Sequence, residues 1–230
     1  MSDSRTTAPI KIDVWSDIAC PWCYIGKRKL ESGIASYRAA AGAEASDIEV
    51  EYHSFELSPD TPVDFQGSET EFLASHKGIG PAQAAEMLER VTGIATDVGL
   101  HYDYDALQHT NTVKAHQLIH YAKAHGLQLE AKERLLKAYF EEGRHVGRDE
   151  DLADLAAEIG LDREDALRSL RENEYLAGVK ADQAQAVAYG IQGVPFFVFD
   201  EQYGVSGAQD AATFSELLTQ LTEERKAVAS

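Results

Sequence analysis

Cysteine is nearly absent from this 230-residue sequence: there are two, Cys20 and Cys23. A framework of structural disulfides is thereby excluded, and a four-ligand zinc site would have to recruit histidines from elsewhere. Basic residues are scarce beside acidic ones, 21 against 39, for a formal net charge of −18. Such a chain meets a polyphosphate backbone or an anionic membrane surface with repulsion, so neither is expected as a partner. Long apolar runs are missing as well; nothing approaches the roughly 18 residues needed to span a bilayer. Met1 to Pro9 lacks the apolar centre of a secretory leader, and the next apolar run is broken by Lys11 and Asp13, so a cytoplasmic address is expected. There is no fixed-length repeat and no low-complexity tract. What is present is 44% hydrophobic and 26% charged residues, the balance of one large globular domain or of one domain carrying an insertion.

Ile10, Ile12 and Val14 alternate with Lys11 and Asp13, a strand signal ending at Trp15. Ser16 to Ala19 reads as a turn. Pro21 suits the first turn of a helix, where its missing N–H has no helical partner to lose. That helix continues through Tyr24, Ile25, Leu30, Ile34 and Tyr37 to Gly42. A second strand follows, with Ile48, Val50 and Tyr52 on one face and Glu49, Glu51 and His53 on the other. Strand, helix and strand in this order predict a parallel pair with a right-handed crossover. The cysteines sit at the carboxyl end of the first strand, where open α/β sheets bind ligands.

From Glu69 to about Ala188 only helical periods appear, punctuated by Gly99, Gly126, Gly143 and Gly160, with Asp149 and Asp162 as expected N-caps. Strand signal returns in Val194 to Phe199, then a turn at Asp200 to Gln202, then Tyr203 to Val205: a hairpin. A last amphipathic helix carries Phe214, Leu217, Leu218 and Leu221. The expected organisation is a discontinuous α/β domain, residues 8–65 and 189–230, interrupted by a helical insertion over 66–188.

A cysteine reacts as its thiolate. Cys20, at a helix start, faces unpaired backbone N–H groups and the positive end of the helix dipole, so its pKa is expected below the ~8.5 of a free thiol. Cys23 lies three residues on, on the same helix face. Cys20 is then expected as the exposed nucleophile and Cys23 as the shielded resolver of a mixed disulfide. A disulfide between them closes a four-residue loop worth about 2 kcal/mol at best, a weak structural reason for the pair. Half of a metal site shared across a dimer, or two small buried side chains, remain the alternatives. His116 and His120 have the i, i+4 spacing of metal ligands but no adjacent glutamate of a hydrolase motif, and no metal site is assigned. Trp15 is expected under the sheet.

The segment Cys20-Pro21-Trp22-Cys23-Tyr24-Ile25-Gly26, an all-helical middle, and Gly193-Val194-Pro195-Phe196-Phe197-Val198 resemble the DsbA-like thioredoxin superfamily, and within it the FrnE-type branch of cytoplasmic disulfide oxidoreductases. The resemblance runs from Ile10 to about Leu221 and implies a thioredoxin-like α/β fold with a large helical insertion. It implies thiol–disulfide exchange by Cys20 and Cys23, with Pro21 and Trp22 shaping the site. It also implies a cis bond between Val194 and Pro195 facing the cysteines, which offers the Val194 backbone to an extended substrate. Asn111-Thr112-x-x-Ala115-His116 is similar to a stretch of the FrnE branch, giving Asn111 and His116 a substrate-side role, with helix capping and packing as the alternative. Ser206 and Gln209, before the last helix, are placed to hold a carboxylate such as that of glutathione, with capping equally open.

Kappa-class glutathione transferases and 2-hydroxychromene-2-carboxylate isomerases belong to the same superfamily. They generally carry serine at the position of Cys20, so they give the alternative function, a glutathione-dependent isomerase or transferase. A non-enzymatic chaperone-like or metal-binding protein is the third. Trp22 stands where the strongly oxidising periplasmic members have histidine, so a less oxidising pair is expected. In a reducing cytosol, reduction or isomerisation of protein or low-molecular-weight disulfides is expected over net oxidation. No tightly bound cofactor is expected; glutathione as co-substrate, and monomer against homodimer, are left open.

Overall fold

The computed structural model describes residues 8–229; nearly all of the Met1–Pro9 segment read above therefore lies outside the described residues. Strand β1 (Ile10–Ser16) leads into helix α1 (Pro21–Ala41), which opens on Pro21 and stops at Gly42, whose φ of 55° suits a residue without Cβ. Strand β2 (Ile48–Ser54) pairs with β1 in parallel, in the register Ile10 to Ile48 and Ser16 to Ser54. Helices α2 (Glu69–Lys77), α3 (Pro81–Asp97), α4 (Val113–Ala124), α5 (Gln128–Phe140), α6 (Asp149–Glu158), α7 (Arg163–Glu172) and α8 (Leu176–Ala188) follow without a strand. Strands β3 (Phe196–Phe199) and β4 (Tyr203–Ser206) and helix α9 (Ala211–Ala229) complete the chain. The sheet order is β2-β1-β3-β4, with β3 antiparallel to both neighbours. This is the thioredoxin-like α/β fold with a helical insertion between its halves. No helix among the described residues is long and apolar enough to cross a membrane.

The alternation of β1 sorts its two faces. Ile10, Ile12 and Val14 join Phe197 and Phe199 against Leu30 and Tyr37 of α1 and Phe214, Leu218 and Leu221 of α9. A Cβ on Gly33 would lie 2.7 Å from both the Ala211 carbonyl oxygen and the Phe214 Cβ, so the close approach of α1 to α9 requires glycine there. On the opposite face Trp15 and Val198 pack with Ala186 of α8 and Ile191. The hairpin turns through Asp200 and Glu201, both at positive φ, the backbone twist that two central hairpin residues need. Asp200 is fixed by the Lys11 backbone N–H at 3.0 Å and by Arg225 at 2.6 Å.

Two local expectations change. Asp162 caps α7, accepting from the Asp165 N–H at 2.8 Å, but Asp149 is the first residue of α6, whose N-cap is Arg148 and has no side-chain hydrogen bond. On β2 the polar face is not open to water: only Glu49 is exposed, while Glu51 and His53 are half-buried. A seven-residue pattern cannot foresee that α8 and α4 cover that face with groups able to bind them.

Candidate active site

Cys20 is the N-cap of α1, with an extended backbone (φ −96°, ψ 110°) and no side-chain capping bond. Its carbonyl accepts from the Cys23 N–H at 3.0 Å, so the first turn closes with both sulfurs on one side. The Cys20 sulfur points toward the segment before β3 and lies 3.5 Å from the Val194 carbonyl oxygen. The Val194–Pro195 peptide is cis. Gly26, one turn into α1, admits the proline: a Cβ there would stand 2.9 Å from Pro195 Cγ. Six of the sequence-predicted residues, Cys20, Pro21, Trp22, Cys23, Val194 and Pro195, are thus gathered at one end of the sheet.

A pocket of about 290 Å³ opens beside them. Cys20, Pro21, Trp22 and Val194 line one wall; Phe72 of α2 and Leu88 of α3 belong to the wall opposite. Cys23 does not reach it. Trp22 is 39% exposed, an apolar ring at the cysteine side of the pocket.

Beside Cys20, and also lining the pocket, stands a carboxylate that the sequence reading passed over. Asp17 is 1% exposed and saturated with donors. Its Oδ1 accepts from the Ile18 N–H at 2.7 Å, the Thr112 hydroxyl at 2.8 Å and His116 Nε2 at 3.1 Å, and its Oδ2 from the Leu57 N–H at 2.8 Å. Burial opposes its charge, yet these bonds and the facing imidazole hold it below the usual carboxylate range.

Two expectations about the cysteines are corrected. Both are buried, Cys20 at 3% and Cys23 at 2% exposure, so solvent exposure does not separate them; what does is that only Cys20 borders the pocket. The acidity is also reversed. Cys20 is pushed up, first because its thiol is the donor to Cys23, then by burial and by the neighbouring Asp17 charge. Burial opposes the Cys23 anion too, but the Cys20 thiol, the ammonium of Lys132 and the Ser16 hydroxyl together bring that thiol down. The helix start does act on Cys20, but in a buried pair one proton is shared, and the sulfur with the better donors loses it first.

The chemistry available is that of a dithiol with one sulfur on a substrate-sized pocket and the other held ready behind it. Residues 11–219 match the DSBA-like thioredoxin domain. The chain belongs to that family. A probable DsbA oxidoreductase from Streptomyces coelicolor is 36% identical in sequence, with a TM-score of 0.84 over 94% of this chain and 91% of that one. The uncharacterised protein YwbO of Bacillus subtilis is 26% identical over 218 residues, 91% of this chain and 96% of its own. A 2-hydroxychromene-2-carboxylate isomerase shares the fold at 14% identity, with a TM-score of 0.68 over 96% of this chain and all of that one. The FrnE branch is consistent with these neighbours.

The remaining sequence-predicted residues are not brought to the pocket of this DsbA-like domain. His116 is 1% exposed and spent on Asp17, so it is a buried counter-group, not a substrate-side one. Asn111 accepts from the Val113 N–H at 2.9 Å and donates to the Pro59 carbonyl at 2.9 Å, fixing the entry to α4. Ser206 lies on β4, and Gln209 donates to its carbonyl at 2.8 Å; neither lines the pocket. His116 and His120 turn to different carboxylates, Asp17 and Asp182. Trp15 is buried against His53 and donates its indole N–H to the Asp182 carbonyl.

Sequence reading missed Asp17, Thr112 and Lys132. Asp17 gave one signal, a charge in a turn too short to swing it to solvent. Lys132 gave another: it stands three and four residues before Leu135 and Leu136, on the apolar stripe of α5.

Proposed function

We propose that this DsbA-like protein is a thiol–disulfide oxidoreductase in which Cys20 attacks the client and Cys23 resolves the intermediate. One observation carries the assignment of roles: Cys20 borders the pocket and Cys23 lies behind it. In the reductive direction the Cys20 proton passes to Cys23 and the Cys20 thiolate attacks a client disulfide. A bond forms between Cys20 and one client sulfur while the client S–S bond breaks, and the other sulfur leaves as a thiolate with the electron pair. Cys23 gives that proton to the first client thiolate and, as a thiolate, attacks Cys20; the intramolecular disulfide forms and the second client thiolate departs. The client gains two electrons and the cysteine pair loses them. Trp22 and the apolar wall give the client side chains a dry surface beside the reacting sulfur.

We further assign the protein to the cytoplasm, working as a reductant or isomerase of protein or low-molecular-weight disulfides, with glutathione as the proposed co-substrate. The absence of structural disulfides and the tryptophan in the Cys-Pro-Trp-Cys turn support the reducing direction. Reduction of insulin and of glutathione disulfide is the test, run on the wild type, Cys20→Ser and Cys23→Ser. Both variants are expected at the background rate, with Cys23→Ser accumulating a mixed disulfide at Cys20. Glutathione-dependent turnover that survives loss of Cys23 would instead support an isomerase or transferase.

A further inference from the structure

Lys132 is among the largest fully buried side chains of the protein, 1% exposed, on helix α5 of the insertion. Among the described residues no hydrogen bond or salt bridge reaches its ammonium, which lies over the face of the Tyr52 ring, 5.5 Å from Nζ to the centroid. A buried cation with no hydrogen-bonded or ion-paired partner is costly, and such groups persist where an anion meets them in some state of the protein.

The packing of α5 sets it beside the helix that carries the cysteines. Gln128 clamps α5 to β2, accepting from the Tyr52 N–H at 3.0 Å and donating to the Tyr52 carbonyl at 2.8 Å. Glu133, next to Lys132, binds the Lys27 ammonium at 2.6 Å, the Tyr24 hydroxyl at 2.7 Å and the Arg28 guanidinium. Cys23 and Lys27 are four residues apart on one face of α1. The helix carrying Lys132 is thereby fixed against the first two turns of the helix carrying the cysteines. We propose that Lys132 is a positioning residue whose buried positive charge holds Cys23 as the resolving thiolate. This rests on the oxidoreductase reading above.

The groups facing Lys132 are Cys23 and Cys20 at the start of α1, Lys27 further along it, Asp17 before it and Tyr52 on β2. Asp17 is already saturated by four donors, and Lys27 is held by Glu31 and Glu133. Burial brings the Lys132 ammonium down to about 8, and the Cys23 charge is the strongest influence acting against that. The two groups therefore stabilise each other's charged forms. In the mixed disulfide Cys20 has no thiol proton left to donate, and Lys132 is the positive charge that still favours the Cys23 anion, beside the Ser16 hydroxyl. Once the intramolecular disulfide has formed, the ammonium loses its anion. Lys132 consequently favours the dithiol and makes the pair more oxidising.

Titration of Cys23 by thiolate absorbance in a Cys20→Ser background tests this without any client. Adding Lys132→Met should raise the Cys23 pKa by about one unit, a tenfold loss of thiolate at intermediate pH. Lys132→Gln should do the same and serves if the methionine variant does not fold. Lys132→Arg keeps the charge and should leave the parent value in place. In the protein with both cysteines, equilibration with a glutathione buffer should move tenfold toward the disulfide in Lys132→Met, about 30 mV more reducing. An unchanged Cys23 pKa in a folded neutral variant overturns the proposal. Failure of the wild type to reduce insulin would overturn the function proposed above and leave this titration fully readable.

Discussion

The two faces of the sheet are held by different forces. On the α1–α9 side, Ile12, Val14, Phe197 and Phe199 meet Leu30, Phe214 and Leu218 in one apolar cluster. On the α4–α8 side, a chain of ionisable groups crosses the interface. His53 on β2 accepts no half measures: Nε2 lies 2.7 Å from Asp13 Oδ1 and Nδ1 3.1 Å from Asp182 Oδ1, so both ring nitrogens donate to carboxylates. Asp182 on α8 also accepts from the Ser54 N–H at 2.8 Å and from His120 of α4 at 3.0 Å. Burial opposes the charge on His53, but the two carboxylates raise its pKa to about 9, while both aspartates are held down despite their own burial. The first face is held by area removed from water and is indifferent to protons; the second is a titratable fastening between sheet and insertion.

The hardest way to break the comparison is to remove Phe214, which is fully buried. Phe214→Ala should cost about 3–5 kcal/mol, and urea unfolding should return the same loss at pH 6 and pH 9. The polar face should behave otherwise. The folded pKa of His53 lies above its unfolded ~6.5, so its contribution is complete below about 6.5 and is lost as the pH rises through about 9. That contribution is on the order of 3 kcal/mol. Asp13 and Asp182 act at the other end: their contribution is present above about 4 and disappears as the pH falls through their lowered folded values. Wild-type stability should therefore decline between pH 6.5 and 9, and Asp182→Asn should flatten most of that decline; an equal slope in both proteins would remove the fastening. A smaller effect is expected at Gly26, where the new methyl of Gly26→Ala meets Pro195 Cγ. Overpacking of about 1–3 kcal/mol, less up to about 1 kcal/mol of helix propensity, leaves a modest loss. Its signature is local: alkylation of Cys20 should change more than the melting temperature does.

The apolar face was legible in the sequence and the polar one was not, for a physical reason. Ile10, Ile12 and Val14 announce their side by alternation, and Pro21 and Gly42 mark the helix ends, because each of these is a local constraint. The partners of His53 come from residues 13 and 182, and no short-range pattern encodes a hydrogen bond across that separation. The same limit explains the cysteines. Their spacing and the helix start were visible, and so was the pairing of their segment with Val194-Pro195 through family resemblance. Their acidity depends on Asp17, Ser16 and Lys132, which meet only when the insertion has packed. His116 illustrates the same limit: the resemblance implies a substrate-side role with packing as the alternative, and the fold packs it on Asp17.

The Tyr102 hydroxyl, from the segment between α3 and α4, donates to the Pro21 carbonyl at 2.7 Å. With the Asp182 carboxylate on His53 and the Ser54 N–H and His116 on Asp17, it makes the helical insertion a supplier of partners to the α/β half. The two parts are consequently not interchangeable cassettes. An insertion taken from a relative would have to bring a hydroxyl, a carboxylate, an imidazole and an ammonium to the same four places, or leave the recipient's cysteine turn and second strand with unanswered polar atoms. Exchange of these segments between family members should succeed only where all four groups travel together.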